Sequence, residues 1–123
     1  MINKARREGK LVFVNFTGYA CTNCHWMKAN MFTRPEIRSA MQGFVPVDLY
    51  TDGTDEVSVR NQAFEEKTFG TIAIPYYAIF DPDGKVLASF PGLTRNPQEF
   101  LTFLNTSQQA KRAQTHFGVP PAV

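Results

Sequence analysis

The chain has two cysteines, Cys21 and Cys24, and a histidine, His25, follows the second at once. This Cys-x-x-Cys-His pattern occurs in three kinds of site: covalently attached haem, half of a zinc site, and a redox-active dithiol. Each kind of site needs different residues elsewhere in the chain. The rest of the sequence can therefore be used to choose among them.

Haem and zinc both lack the further ligands that they would need. Haem attached through Cys21-Thr22-Asn23-Cys24-His25 would use His25 as an axial ligand and usually a second ligand far along the chain. The only other histidine is His116, near the C-terminus, and the methionines are Met1, Met27, Met31 and Met41. Zinc usually takes four ligands, and His116 is remote in sequence from the cysteine pair. We therefore expect no metal and no cofactor, with a c-type haem protein as a less favoured alternative.

The placement of the two cysteines favours a redox dithiol. Cys21 follows a predicted strand and turn and opens a predicted helix, where free backbone N–H groups and the helix dipole favour a thiolate. The thiolate is the nucleophile in disulfide exchange. Cys24, one turn further, is placed to attack the mixed disulfide and release the partner. The alternative is that both cysteines are buried structural thiols. If they pair, so short a disulfide loop would stabilise the fold little, which favours a functional disulfide over a structural one.

Length and composition indicate one globular domain, residues 1–123, with a core at about 9–105 and a flexible tail at 106–123. The net charge is only +2 and the thirteen Lys and Arg residues are scattered, so we expect no nucleic-acid partner. No apolar run approaches the roughly 20 residues of a membrane span. The start, "MINKARREGK", does not resemble a signal peptide.

Strands and helices alternate along the sequence. Apolar and β-branched runs predict strands at 10–16, 44–50, 71–80 (interrupted by Pro75) and 85–90. Helices are predicted at 22–30, from a capping box of Thr33, Pro35 and Glu36 to about 41, at 55–67 after Thr54, and at 97–107 after Asn96. This order predicts an α/β fold with a mixed central sheet and helices on both faces.

A strand, a Cys-x-x-Cys pair at a helix start and a proline within the third strand together resemble the thioredoxin superfamily over about residues 9–105. Within it, "MFTRPEIRSAM", "VDLYTDGTDEVSVRNQAFEEKTFG", "IAIPYYAIFDPDGK" and "PGLTRNPQEFLTFL" are similar to the C-terminal domain of the thiol:disulfide interchange protein DsbD. The resemblance implies a thioredoxin-like fold in which Pro75 is a cis-proline facing the disulfide. Ile74 would present its backbone to a partner peptide. An ordinary edge-strand proline is the alternative.

The sequence departs from the family pattern beside the dithiol. Asn15 occupies the place of a buried acid six residues before Cys21, and Lys28 occupies the place of a glutamate of the DsbD domain. The family's carboxylates are thus missing at both places, and we expect nothing acidic nearby in sequence to oppose the thiolate, which Lys28 and His25 favour. Just before Cys21, where the family pattern has an aromatic residue, this chain has Ala20, and Tyr19 and Trp26 flank the motif.

The resemblance implies a thiol–disulfide oxidoreductase of the protein-disulfide reductase type, with Cys21 as nucleophile and Cys24 as resolving thiol. Its partners would be protein disulfides or dithiols, including those of cytochrome c maturation, and a membrane-embedded domain would donate electrons. The implied location is periplasmic or exported, and we expect a monomer. The alternative is a binding module of the same fold that docks partners through Ile74 and Pro75 without redox turnover.

Overall fold

The order of elements follows the alternation predicted from the sequence. The structure is a computed structural model that describes residues 8–118, with side chains described up to residue 109. In that range the chain forms β1 (Leu11–Thr17), α1 (Thr22–Asn30), α2 (Pro35–Met41), β2 (Phe44–Tyr50), α3 (Glu56–Phe69), β3 (Tyr76–Phe80), β4 (Val86–Pro91) and α4 (Pro97–Gly118).

The four strands form one mixed sheet in the order β2-β1-β3-β4. The β1 and β2 strands are parallel, whereas β3 is antiparallel to both β1 and β4. Because β1 and β2 are parallel and in register from Leu11 with Phe44 to Thr17 with Tyr50, their carboxyl ends lie side by side. The loop after each strand therefore starts at the same edge of the sheet, where the cysteine pair follows β1.

The two faces of the sheet carry separate hydrophobic clusters. Phe13 belongs to a cluster with Met27 of α1, Ile37 of α2 and Phe100 of α4. Phe16 belongs to the cluster on the opposite face, against which Phe69 of α3 packs. Successive side chains of a strand point to opposite faces, so β1 contributes residues to both clusters, as β2 and β3 also do. The α/β fold with helices on both faces is confirmed.

Two helix starts differ from the prediction by one residue. The capping box at Thr33 is wrong: the Thr33 hydroxyl donates to the Ala29 carbonyl at 2.8 Å, and Arg34 occupies the N-cap of α2 without a side-chain cap. The preceding helix supplies this competing acceptor. Asp55 rather than Thr54 caps α3, because its carboxylate accepts the N–H of Ser58 at 3.2 Å.

Three predicted helix and strand bounds also differ from those of the structure. The third strand begins at Tyr76, so Pro75 precedes it rather than interrupting it. The α3 helix continues to Phe69 and ends at Gly70, whose φ of 73° favours glycine. The last helix continues to Gly118, beyond the predicted end near 107. Polar residues without a proline or glycine continue that helix, so the predicted tail is helical to 118, and residues 119–123 lie outside the described residues.

Candidate redox site

Cys21 and Cys24 are joined by a disulfide at the start of α1, with their Cα atoms 5.2 Å apart. Cys21 is the N-cap residue, and its sulfur accepts the backbone N–H of Cys24 at 3.1 Å. Cys24 is buried, with 6% of its surface exposed, whereas Cys21 is only partly buried. The sulfur that a partner can reach is therefore that of Cys21, and it lies where the helix offers its unpaired N–H groups.

The loop before β3 lies against the loop that leads from β1 to Cys21. The Ile74–Pro75 peptide bond is cis, as the sequence resemblance predicted. A Cβ at Gly18 would lie 2.8 Å from Cδ1 of Ile74, so the two loops are in close contact and a larger residue at position 18 would force the Ile74 side chain to shift. The alternative of an edge-strand proline is wrong, because β3 lies between β1 and β4 and buried Pro75 comes before its first residue.

Asp52, in the loop after β2, holds the backbone that leads to Cys21. Its carboxylate accepts the N–H of Tyr19 at 3.1 Å and the N–H of Ala20 at 2.9 Å. These hydrogen bonds, first that from Ala20 and then that from Tyr19, lower the pKa of Asp52, and the charge of His25 adds a smaller effect. Asp52 was not among the residues predicted from the sequence. The strand–helix–strand order was the available signal, because neighbouring strands joined through a helix are usually parallel and then end at the same edge of the sheet.

His25 contacts the same loop from the helix side. Its Nε2 lies 2.6 Å from the carbonyl oxygen of Tyr19. A carbonyl oxygen can only accept, so this contact requires Nε2 to carry a proton. The backbone of Tyr19 is thus held at both of its polar groups, the N–H by Asp52 and the C=O by His25. His25, predicted to modulate the site, therefore lies in α1 and contacts the loop that precedes Cys21.

Asn15 and Lys28 line one groove of about 390 Å³ beside α1 and the β2 edge. Asp48 lies in the same groove, directly opposite Asn15 in the strand pairing, and accepts a hydrogen bond from Asn15 Nδ2 at 3.3 Å. Burial, and then the charge of Asp48, raise the pKa of Tyr77, which pairs with Asn15 on the other side of β1. The Asp48 charge therefore acts on the core beneath the site.

Two acids that are distant in sequence lie beside the site. Asp48 contacts the residue at the acid position, and Asp52 contacts the residue before Cys21. Neither acid is close to the cysteines in sequence. Both come from β2 and the loop after it, which the parallel pairing brings beside β1.

No group of three or more His, Cys, Asp and Glu side chains within residues 8–109 lies in an arrangement that could hold a metal ion. None of the helices in the described part of the chain combines the length and the apolar character that crossing a membrane requires.

The sheet order, the cis-proline loop and the disulfide at a helix start together define a thioredoxin-fold protein with a redox dithiol. The chain belongs to the family of thioredoxin-like domains, which it matches over residues 1–108. No curated protein matches it closely enough to count as a relative. The family, the fold and the Cys-x-x-Cys disulfide together support a thiol–disulfide oxidoreductase.

Solved structures of this fold are similar over most of the chain. The oxidised C-terminal domain of DsbD from Neisseria meningitidis is 22% identical, with a TM-score of 0.65 over 86% of this chain and 89% of that chain. A thioredoxin from Thermus thermophilus is 19% identical, with a TM-score of 0.68 over 85% of this chain and 78% of that chain. The oxidoreductase DsbH is 18% identical, with a TM-score of 0.63 over 85% and 78%. These likenesses establish the fold.

Proposed function

We propose that this protein is a protein-disulfide reductase that uses Cys21 as nucleophile and Cys24 as resolving thiol. The observation that carries the proposal is the position of Cys21, which is the more accessible cysteine of the pair and the N-cap of α1. The helix N-terminus favours the anionic sulfur over the neutral thiol. Buried Cys24 is shielded from partners but lies one turn away from the reacting sulfur.

In the reduced protein, the Cys21 thiolate attacks one sulfur of a partner disulfide. A bond forms between Cys21 and that sulfur, the partner disulfide breaks, and the other partner sulfur leaves as a thiolate. Cys24 then loses its proton and attacks the sulfur of Cys21, which releases the partner as a dithiol after protonation. The protein is oxidised to the Cys21–Cys24 disulfide, and the partner gains two electrons.

Turnover and trapping test the two roles. Cys21→Ser is expected to abolish reduction of a protein disulfide in the presence of a thiol reductant. Cys24→Ser is expected to accumulate a mixed disulfide between Cys21 and the partner, visible by mass under non-reducing conditions. Full turnover by Cys21→Ser would contradict the proposal, as would a mixed disulfide formed through Cys24.

The reductive direction, the partners and the location are also proposals, supported by the resemblance of four sequence segments to the DsbD domain. In this proposal a membrane-embedded domain supplies electrons, and the recipients are exported or periplasmic proteins, including those of cytochrome c maturation. Equilibration of the disulfide with a glutathione buffer tests the direction. A potential more reducing than that of glutathione supports a reductase, and a more oxidising potential would contradict it.

A further inference from the structure

Tyr19 is an exposed aromatic residue two positions before the nucleophilic cysteine. Its side chain is 69% exposed, which is unusual for a large ring in a folded domain. One face of the ring stacks on Tyr50 of β2, with centroids 4.0 Å apart and an interplanar angle of 16°. We call these two residues the tyrosine pair. The stack leaves most of Tyr19 accessible to a partner held on Cys21.

The tyrosine pair is held in place before any partner arrives. The Tyr19 peptide is bound by Asp52 at its N–H and by His25 at its C=O. A Cβ at Gly18 would lie 2.7 Å from Oδ2 of Asp52, so a side chain there would displace the carboxylate that binds Tyr19. An aromatic surface that is already ordered loses little conformational entropy on binding. This ordering distinguishes Tyr19 from an incidental exposed side chain.

Trp26, the other aromatic residue beside the motif, is already in use. The guanidinium carbon of Arg95 lies 4.9 Å from the centre of its ring, and the ring also packs against the core cluster of α1 and α4. Such a cation–π contact is favourable when the cation lies within about 6 Å of the ring. Trp26 thus serves the fold, and Tyr19 offers the exposed ring beside the dithiol.

The charges around the tyrosine pair favour a cationic ligand. Asp52, Asp55 and Glu56 are exposed and follow Tyr50 in the chain. The pKa of Asp52 is lowered by the N–H of Ala20 and then by that of Tyr19, so its charge is retained at neutral pH. Glu56 is paired with Arg60 and the Asp55 carboxylate caps α3, so Asp52 is the acid in contact with the loop that carries Tyr19. Aromatic faces beside carboxylates attract ammonium and guanidinium groups.

We propose that the tyrosine pair is a docking surface for a Lys or Arg side chain of the partner polypeptide, close to the cysteine that is exchanged. The exposed ring and the Asp52 carboxylate bound to the Tyr19 N–H favour a cationic side chain, and Tyr19 lies two residues before the cysteine that holds the partner. An extended chain advances about 3.3 Å per residue, so a side chain two or three residues from the partner cysteine reaches the pair. The inference rests on the proposed exchange at Cys21 and adds a class of preferred partner.

Three matched peptides test the inference. Each carries one cysteine in a mixed disulfide with the same small thiol, and they differ only in a Lys, Leu or Glu two residues from that cysteine. The rate constant for reduction by the reduced protein is measured for each peptide at low salt. We expect the Lys peptide to react about threefold to tenfold faster than the Glu peptide and faster than the Leu peptide.

The ratio of the Lys and Glu rates, taken within each variant, separates docking from a general change in reactivity. Tyr19→Ala is expected to reduce this ratio, and Tyr19→Phe, which keeps the ring, is expected to retain most of it. Val57→Thr, at an exposed position of α3, is the surface control and should leave the ratio as in the native protein.

Each other outcome contradicts a different claim. Equal rates for the three peptides, a fastest reaction with the Leu peptide, or an unchanged ratio in Tyr19→Ala would overturn the docking inference while reduction itself stands. If none of the peptides is reduced, the proposed function fails and the docking inference fails with it.

Discussion

The cysteine pair shows what can be predicted at the scale of single residues. Both sulfur atoms, the helix cap and the accessible nucleophile follow from one local stretch, Cys21 to His25, so the sequence was sufficient to predict them. Asp48 and Asp52 could not be found in the same way. They reach the site through pairing of two strands about thirty residues apart, and a search for nearby acids in sequence does not detect them.

Restoring an acid at position 15 tests how the groove acts on the dithiol. Asn15→Asp would place a second carboxylate beside Asp48, where two like charges oppose each other and any further anion. We expect thiolate formation, followed by ultraviolet absorbance against pH, to shift to higher pH than in the native protein. Asn15→Asp combined with Asp48→Asn returns the groove to one carboxylate and should reverse most of the shift.

An unchanged titration in Asn15→Asp would mean that the groove does not couple to the cysteines. A shift to lower pH would contradict the electrostatic interpretation of the site. Asp48→Asn alone completes the comparison, since it removes the native carboxylate and leaves the neighbouring amide in place.

At the scale of elements, the loop before α1 depends on a residue that belongs to another loop. Asp52→Asn weakens the acceptor for the N–H groups of Tyr19 and Ala20, so we expect faster amide hydrogen exchange at both. Because the pKa of Asp52 is lowered, the native contact persists above that pKa and is lost as pH falls through it. Below that pH the native protein and the variant should exchange alike.

The matched control is Asp55→Asn, which alters a similar carboxylate at the N-cap of α3. It should affect the Ser58 amide and leave Tyr19 unaffected. Exchange at Tyr19 and Ala20 that does not respond to Asp52→Asn would show that these amides are protected by something else.

Helix α3 carries a buried acid that should make stability depend on pH. Glu65 is fully buried, and neither carboxylate oxygen has a hydrogen-bond partner in the described part of the chain. Burial raises its pKa from 4.5 to about 7. The unfolded chain therefore releases this proton at lower pH than the folded one, and stability falls as pH rises from about 4.5 to about 7, by roughly 3 kcal/mol in all.

Glu65→Gln removes this titration while keeping the shape of the side chain. We expect the variant to gain stability relative to the native protein between pH 5 and about pH 8, as measured by denaturant unfolding. Glu66→Gln, at the adjacent exposed position, is the control and should show little change. Parallel pH profiles for the native protein and Glu65→Gln would contradict the assignment.

The helix and strand bounds show why some local predictions failed. Asn96 caps α4 as predicted, and its side-chain oxygen accepts the N–H of Gln98 at 3.0 Å. Thr33 failed because the end of α1 offered its hydroxyl a carbonyl acceptor. Capping patterns thus predict a helix start well when the candidate residue has only one local partner.

At the scale of the whole molecule, Phe13 connects the elements that build the site. Its ring is 2% exposed and contacts the rings of Phe32, Phe44, Tyr77, Phe100 and Phe103. These rings come from both neighbouring strands, from α4 and from the segment after α1. The fold class could be predicted because strand periodicity marks both faces of β1, but this convergence on one ring arises only in three dimensions.

Phe13→Ala is expected to lower the free energy of unfolding by about 3–5 kcal/mol, since a cavity replaces a buried ring. Denaturant unfolding of the oxidised protein measures the loss. Phe64→Ala, where the ring is 40% exposed, is the control and should cost clearly less. Similar losses for the two variants would show that Phe13 is not the centre of the core.

The hydrogen bond from the Cys24 amide to the Cys21 sulfur has a consequence for observing the protein at work. The atom that exchanges partners is also the acceptor at the first turn of α1. Its electron density differs between the disulfide, the thiolate and the mixed disulfide, so the chemical shift of the Cys24 amide proton should differ in each state. A nitrogen-labelled sample would then carry a built-in reporter, and one peak in a nuclear magnetic resonance spectrum would follow the reaction without any attached probe.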